Sequence, residues 1–196
     1  MIENAEWFPD NYFARQDFKA AFPVEQPLEI DLGCGDGSFL IAMAKQYPER
    51  NFLGVERLLG RVKKVAKKIK REGLTNVRVL RLDTKYLVEW MLKPSSIYRM
   101  HLLCPDPWPK KRHHKNRFFQ VKYLEIIHRA LEADGEFLFK TDHDEYYEWA
   151  LEELTKEHPL EELSWDEESF FYPKTDFQRL WESQGKSLKA IRLKKA

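Results

Sequence analysis

Cysteine is nearly absent: Cys34 and Cys104 are the only two in a chain of 196 residues. They lie in different motif regions, which excludes a disulfide framework and offers no metal-ligand spacing. Long apolar runs are missing as well. The longest aliphatic stretch, Phe39 to Ala44, falls far below the roughly 18 residues that a membrane-spanning helix needs. At the N-terminus, Glu3, Glu6, Trp7 and Phe8 stand where a secretory signal would place a basic residue and then an apolar run. The expectation is a reducing, cytoplasmic setting with no membrane partner. No repeat or Gly/Ser linker interrupts the chain, and its 8 glycines and 10 prolines sit at punctuation points. A short segment (1–27) followed by one domain (28–196) is expected.

Net charge excludes little, because 33 Lys and Arg nearly balance 32 Asp and Glu. Its distribution says more. Between Arg57 and Arg81 the bases face the single acid Glu72, and a second basic cluster runs from Lys110 to Arg117. The acids gather between Glu132 and Glu168, so one face is expected to attract phosphate while another is merely solvated.

From Leu28 onward short apolar runs alternate with helical patterns. Strands are expected at Leu28 to Leu32, Asn51 to Val55, Val77 to Leu82, Tyr98 to Leu103 and Glu136 to Lys140. The intervening helices are expected at Ser38 to Gln46, Leu59 to Glu72, Lys85 to Leu92, Phe119 to Leu131 and Asp144 to Lys156. Such alternation predicts an α/β fold, a mostly parallel sheet with helices on both faces. Leu188 to Leu193 would add an antiparallel edge strand. Trp7, Trp90, Trp149 and Trp165 are expected to pack the core.

Glu29 to Ser38 reads as a strand entering a glycine-rich turn and then a helix. Gly33, Gly35 and Gly37 let the backbone turn tightly and approach a ligand. The spacing is G-x-G-x-G, unlike the dinucleotide fingerprint, and the acid Asp31 precedes it. Glu56 ends the next strand, where ribose hydroxyls are held in nucleoside-binding folds, and Asp83 ends the strand after that, within reach of an adenine amine. An ammonium-bearing nucleoside, S-adenosyl-L-methionine, suits three carboxylates better than a pyrophosphate does. A bare strand-to-helix turn is the alternative for the glycines alone.

After the fourth strand comes Pro105-Asp106-Pro107-Trp108-Pro109, a stiff loop that preorganises Asp106 at the mouth of the crevice. Lys110, Lys111, Arg112, Lys115 and Arg117, interleaved with His113 and His114, follow with the composition of a phosphate-binding arm. The histidines lack companion ligands, so no metal is expected.

Taken together, Gly33-Cys34-Gly35-Asp36-Gly37, Gly54-Val55-Glu56, Arg81-Leu82-Asp83, the run Pro105 to Lys115, Lys140-Thr141-Asp142 and Thr175-Asp176-Phe177-Gln178 resemble the bacterial tRNA (guanine-N7)-methyltransferases. The likeness extends from about Pro27 to the C-terminus. It implies a Rossmann-like class I methyltransferase domain, S-adenosyl-L-methionine as donor, and a variable-loop guanine of tRNA as acceptor. By that resemblance Asp31, Glu56 and Asp83 bind the donor, Asp106 acts at the reacting centre, and Lys110, Asp142, Thr175, Asp176, Phe177 and Gln178 contact the substrate. Three positions depart from the family pattern: Asp31 replaces a usual Glu, Cys104 an aromatic or aliphatic residue, and Gln178 a usual Glu. A methyltransferase acting on an adenine amino group of RNA and a catalytically silent RNA-binding relative are the alternatives. Monomer and homodimer both remain open.

Overall fold

All five residues of β1 (Leu28–Leu32) are buried, as a strand is only when both faces of its sheet are covered. The computed structural model describes residues 5–166, 170–185 and 187–195; the side chains of Asp176 and Phe177 lie outside that set. β1 is joined by β2 (Asn51–Glu56), β3 (Val77–Arg81), β4 (Ile97–Leu103), β5 (Leu131–Thr141), β6 (Leu160–Leu163) and β7 (Lys189–Lys195). They form one sheet in the order β3-β2-β1-β4-β5-β7-β6. β1 to β5 run parallel, while β7 pairs antiparallel with β5 and with β6. The antiparallel element expected at Leu188 to Leu193 is thus present, inserted between β5 and β6. The outermost strand, β6, was not anticipated.

The helices follow local chemistry. α1 (Ser38–Gln46) starts after Gly37, whose left-handed φ of 77° ends the glycine turn. α2 (Leu59–Glu72) buries only Val62, Val65 and Ile69 along one stripe, presents lysines elsewhere, and stops at Gly73 with φ 67°. α3 (Thr84–Tyr86) is one turn capped by Asp83, and it continues as a wider helical turn, Leu87–Met91. α4 (Val121–Ala130) starts two residues later than expected because the chain is still extended at Gln120, its N-cap, with φ −146° and ψ 148°. α5 (Asp144–Leu154) carries Asp144 and Glu145 in its first turn, where the helix dipole favours acids, and α6 (Asp176–Ser183) follows Thr175.

One face of the sheet is apolar. Leu28, Ile30, Leu32, Met100, Leu102, Phe137, Phe139, Ile191 and Leu193 pack there with α4, α5 and the N-terminal residues Phe18, Ala21 and Phe22. Residues 5–22 thus join the domain; Trp7 and Ala5 also pair with Val79 across the β3 edge. Trp7 and Trp149 pack against this core, but Trp90 corrects the expectation made for it: it is 60% exposed, because the helical turn that carries it directs Leu87, Val88 and Met91 inward instead. Trp165 belongs to neither core cluster.

The other face changes character across β4. Beside β1 and β2 it is covered by α1 and α2, with Phe39, Leu40, Val62 and Val65. From Glu29 of β1 across β4, β5 and β7 it carries charged and polar side chains: Arg99, His101, Glu136, Lys140 and Arg192. Arg99 donates to Glu136 at 3.0 Å and Arg50 to Glu29 at 2.8 Å. An aromatic strap lies across these charges. Phe170 sits 5.2 Å from the Arg99 guanidinium and 4.9 Å from that of Arg192, and Lys140 stands 4.6 Å from the ring of Trp165. Cation–π contacts keep a charged sheet face dry without a helix.

Candidate active site

The chain order reverses between β1 and β4, so a crevice opens beyond their carboxyl ends. Asp31 stands beside it, paired in register with Gly54 on β2 and His101 on β4. Gly54 is required there. A Cβ at that position would come within 2.6 Å of Leu40 Cδ2 and 2.8 Å of Cys34 Sγ. The turn after Asp31 is tied down by Gly33 N–H and Cys34 N–H, which both donate to Val55 O at 2.9 and 3.0 Å. Gly33 and Gly35 have positive φ, and a Cβ on Gly33 would meet nothing within 4 Å. The backbone therefore borders open space that a ligand can enter. Asp36 anchors the turn from outside, accepting from Lys68 of α2.

Asp31 is buried and has no cationic partner among the described residues. Burial, together with the charges of Asp36 and Glu56, pushes its carboxyl up to about 7. A carboxylate held this way gains most from an incoming cation. Glu56 closes β2, with Oε1 accepting from Leu58 N–H at 2.7 Å and Arg61 3.6 Å from Oε2. Asp83 uses Oδ1 to cap α3 through Lys85 N–H and Tyr86 N–H. The three acids stand at the carboxyl ends of adjacent strands, Asp31 one residue before the end of β1, Glu56 at the end of β2 and Asp83 two residues beyond β3. An unpartnered acid beside a glycine cradle, with two further acids in line, fits an ammonium-bearing nucleoside.

The loop after β4 is strained at both ends, since Cys104 (φ 46°) and Trp108 (φ 47°) adopt left-handed conformations without being glycine. Between them Asp106 is exposed. Burial and the charge of Asp142 push the Cys104 thiol up to about 12, despite the opposing charge of Lys140, so this cysteine stays protonated. Asp142 follows β5 and is half-buried.

Arg117 does not lie on an exposed arm. It is fully buried, its guanidinium 5.1 Å from the ring of Tyr146 and 5.3 Å from that of Trp149, and Nε donates to Pro107 O at 2.8 Å. This bond holds the Asp106 loop from beneath, while Tyr146, its hydroxyl pushed up to about 12 by burial, accepts from Phe118 N–H and Phe119 N–H at 3.0 Å. Lys110, Arg112 and Lys115 are exposed. His113 packs edge-on to Trp108, and His114 lies 3.1 Å from Glu145.

Thr175 caps α6, its hydroxyl accepting from Gln178 N–H at 3.0 Å. Gln178 is buried, and its amide donates to Glu182 at 3.0 Å. The side chains of Asp176 and Phe177 lie outside the described residues. Tyr172, missed from sequence, ties this segment to the site. Its hydroxyl is 2.9 Å from His101 Nδ1, and its ring lies against Phe39. The only legible signal was the aromatic run Phe170 to Tyr172 before Pro173. Among the described residues no group of three or more His, Cys, Asp or Glu is placed to hold a metal ion, and no helix is long and apolar enough to cross a membrane.

Residues 25–191 match a family model described as "putative methyltransferase". The chain is 37% identical over 142 residues to a tRNA (guanine-N(7)-)-methyltransferase of Syntrophotalea carbinolica, a match covering 69% of this chain and 61% of that protein. It thus spans less than two thirds of that relative's length. A protein of the same name from Chlorobium phaeobacteroides is 33% identical over 173 residues, which covers 86% of this chain and 82% of the relative. Among solved structures, the 16S rRNA methyltransferase KamB superposes with a TM-score of 0.68 at 17% identity, covering 97% and 95% of the two chains, a likeness of fold. By these sequence matches the chain belongs to the tRNA (guanine-N(7)-)-methyltransferase family.

Proposed function

We propose that this chain transfers a methyl group from S-adenosyl-L-methionine to N7 of a variable-loop guanine in tRNA. The observation that carries the reading is Asp31, buried, without a cationic partner among the described residues, and beside a glycine cradle that borders open space. When bound, the donor supplies an electrophilic sulfonium methyl. Asp31 holds its ammonium group, Glu56 the ribose hydroxyls, Asp83 the adenine amine, and Gly33, Gly35 and Gly37 let the backbone approach.

The acceptor nitrogen of guanine already has an in-plane lone pair, so no residue needs to remove a proton. The protein's work is positioning and charge. Methylation leaves the purine cationic, and Asp106, fixed by strained backbone and by Arg117 beneath it, opposes that charge with a carboxylate. Lys110, Arg112, His113, His114 and Lys115 grip phosphates, and Asp142 with the Thr175–Gln178 turn borders the base.

Incubation with labelled donor and unmodified tRNA tests this reading. Label should enter tRNA with the parent chain and fall strongly with Asp106→Asn, which keeps shape and loses charge. Equal incorporation by the two would remove Asp106 from the reacting centre.

A further inference from the structure

The basic arm has a second side. Lys111, His114 and Lys115 line an open cleft of about 520 Å³ completed by Lys122 of α4, by Trp149 and Glu153 of α5 and by Lys156 just after it. Lys110, Arg112 and His113 are not part of that lining. Four lysines, two on the arm, one on α4 and one just after α5, thus converge on one cavity. The only acid in the lining, Glu153, is buried and already engaged: Oε2 accepts from Val121 N–H at 2.8 Å, and Oε1 pairs with Lys156. Lys111, Lys115 and Lys122 have no acidic partner among the described residues, so the cleft carries excess positive charge.

The donors in this cleft also say what kind of ligand it takes. Lysine ammoniums are compact point charges that contact phosphate without reading a base. The indole brings no hydrogen bond, because Trp149 Nε1 donates to Phe119 O at 2.9 Å. We infer that the cleft holds a phosphodiester of the tRNA backbone away from the methylated nucleotide, so that the RNA is gripped on both sides of the arm. The inference rests on the reading of tRNA as substrate.

The test is tRNA binding measured across a salt series for Lys111→Ala/Lys122→Ala, with donor affinity by calorimetry as the control for an intact fold. Affinity should fall about tenfold near 0.1 M salt, and the slope of log affinity against log salt should shrink by about two, one for each lost phosphate contact. Both lysines are exposed, and Lys122→Glu alone should also weaken tRNA binding at unchanged melting temperature. Parent-like affinity and slope in the folded variants would overturn the assignment. So would loss of inorganic pyrophosphate binding with tRNA binding intact, which would make the cleft a small-anion site. If the parent chain itself neither binds nor methylates tRNA, the functional reading fails instead.

Discussion

The hydroxyl of Tyr172 lies 2.9 Å from Nδ1 of His101, and the other ring nitrogen lies 2.8 Å from Glu29 Oε2. A carboxylate only accepts, so Nε2 of the neutral imidazole carries the proton and Nδ1 receives the Tyr172 hydroxyl. Burial holds His101 below its usual value. Burial would push Glu29 up, but the hydrogen bond from His101, the charge of Arg99 and the hydrogen bond from Arg50 outweigh it and hold Glu29 below. A directed chain of bonds thus fastens the aromatic strap to the floor of the sheet, three residues before Thr175.

Tyr172→Phe removes the donor and leaves a buried imidazole nitrogen unpaired. Stability should drop by about 1 to 3 kcal/mol. Urea unfolding checks this, and an unchanged midpoint would show that the strap does not depend on the bond.

Asp31 imposes a pH dependence with an unusual sign. Its carboxyl titrates near 7 in the folded chain against an ordinary 3.8, so the folded state holds the proton more tightly. Without donor, stability should fall as pH rises from about 4 to about 7 and level off above. Donor affinity should run the other way, weakening as pH drops below about 7, with a proton released on binding. Asp31→Asn should flatten both profiles in calorimetry and thermal melts; profiles that keep their slope would assign the titration elsewhere.

Arg117→Lys should separate positioning from phosphate contact. Lysine cannot reproduce a guanidinium stacked between Tyr146 and Trp149 while bonding Pro107 O. Single-turnover methyl transfer should slow by an order of magnitude or more, since about 1.4 kcal/mol of lost alignment is tenfold, with the salt slope of tRNA binding unchanged. A shallower slope at parent rate would return Arg117 to the arm.

Gln178→Glu alone would set a carboxylate against Glu182, whose Oε1 is 3.0 Å from the present amide. The exchange Gln178→Glu/Glu182→Gln keeps the pair and frees an acceptor. If residue 178 reads the guanine edge, the exchanged chain should methylate up to about tenfold faster than the parent in single turnover, one bond becoming charge-assisted. Parent-like rates in both variants would leave residue 178 with only a packing role.

Parallel strands and their helices were legible because burial on both faces writes short apolar runs such as Phe52 to Val55, and amphipathic stripes such as Val62, Val65 and Ile69. The placing of Asp31, Glu56 and Asp83 at the strand ends was legible because strand ends are marked by turns. β6 was not, since Leu160-Glu161-Glu162-Leu163 is short and charged in its middle. The strap escaped notice because its partners are charges rather than apolar residues. Within a run of cations no pattern marks which one turns inward, so Arg117 read like Lys115; only Phe118 and Phe119 beside it hinted at the core.

The most direct test of the central claim is nucleoside analysis of tRNA methylated by the purified chain with labelled S-adenosyl-L-methionine. The account predicts label in 7-methylguanosine, at one position in the variable loop. Label in a methylated adenosine, or donor binding with no incorporation into tRNA, would contradict it.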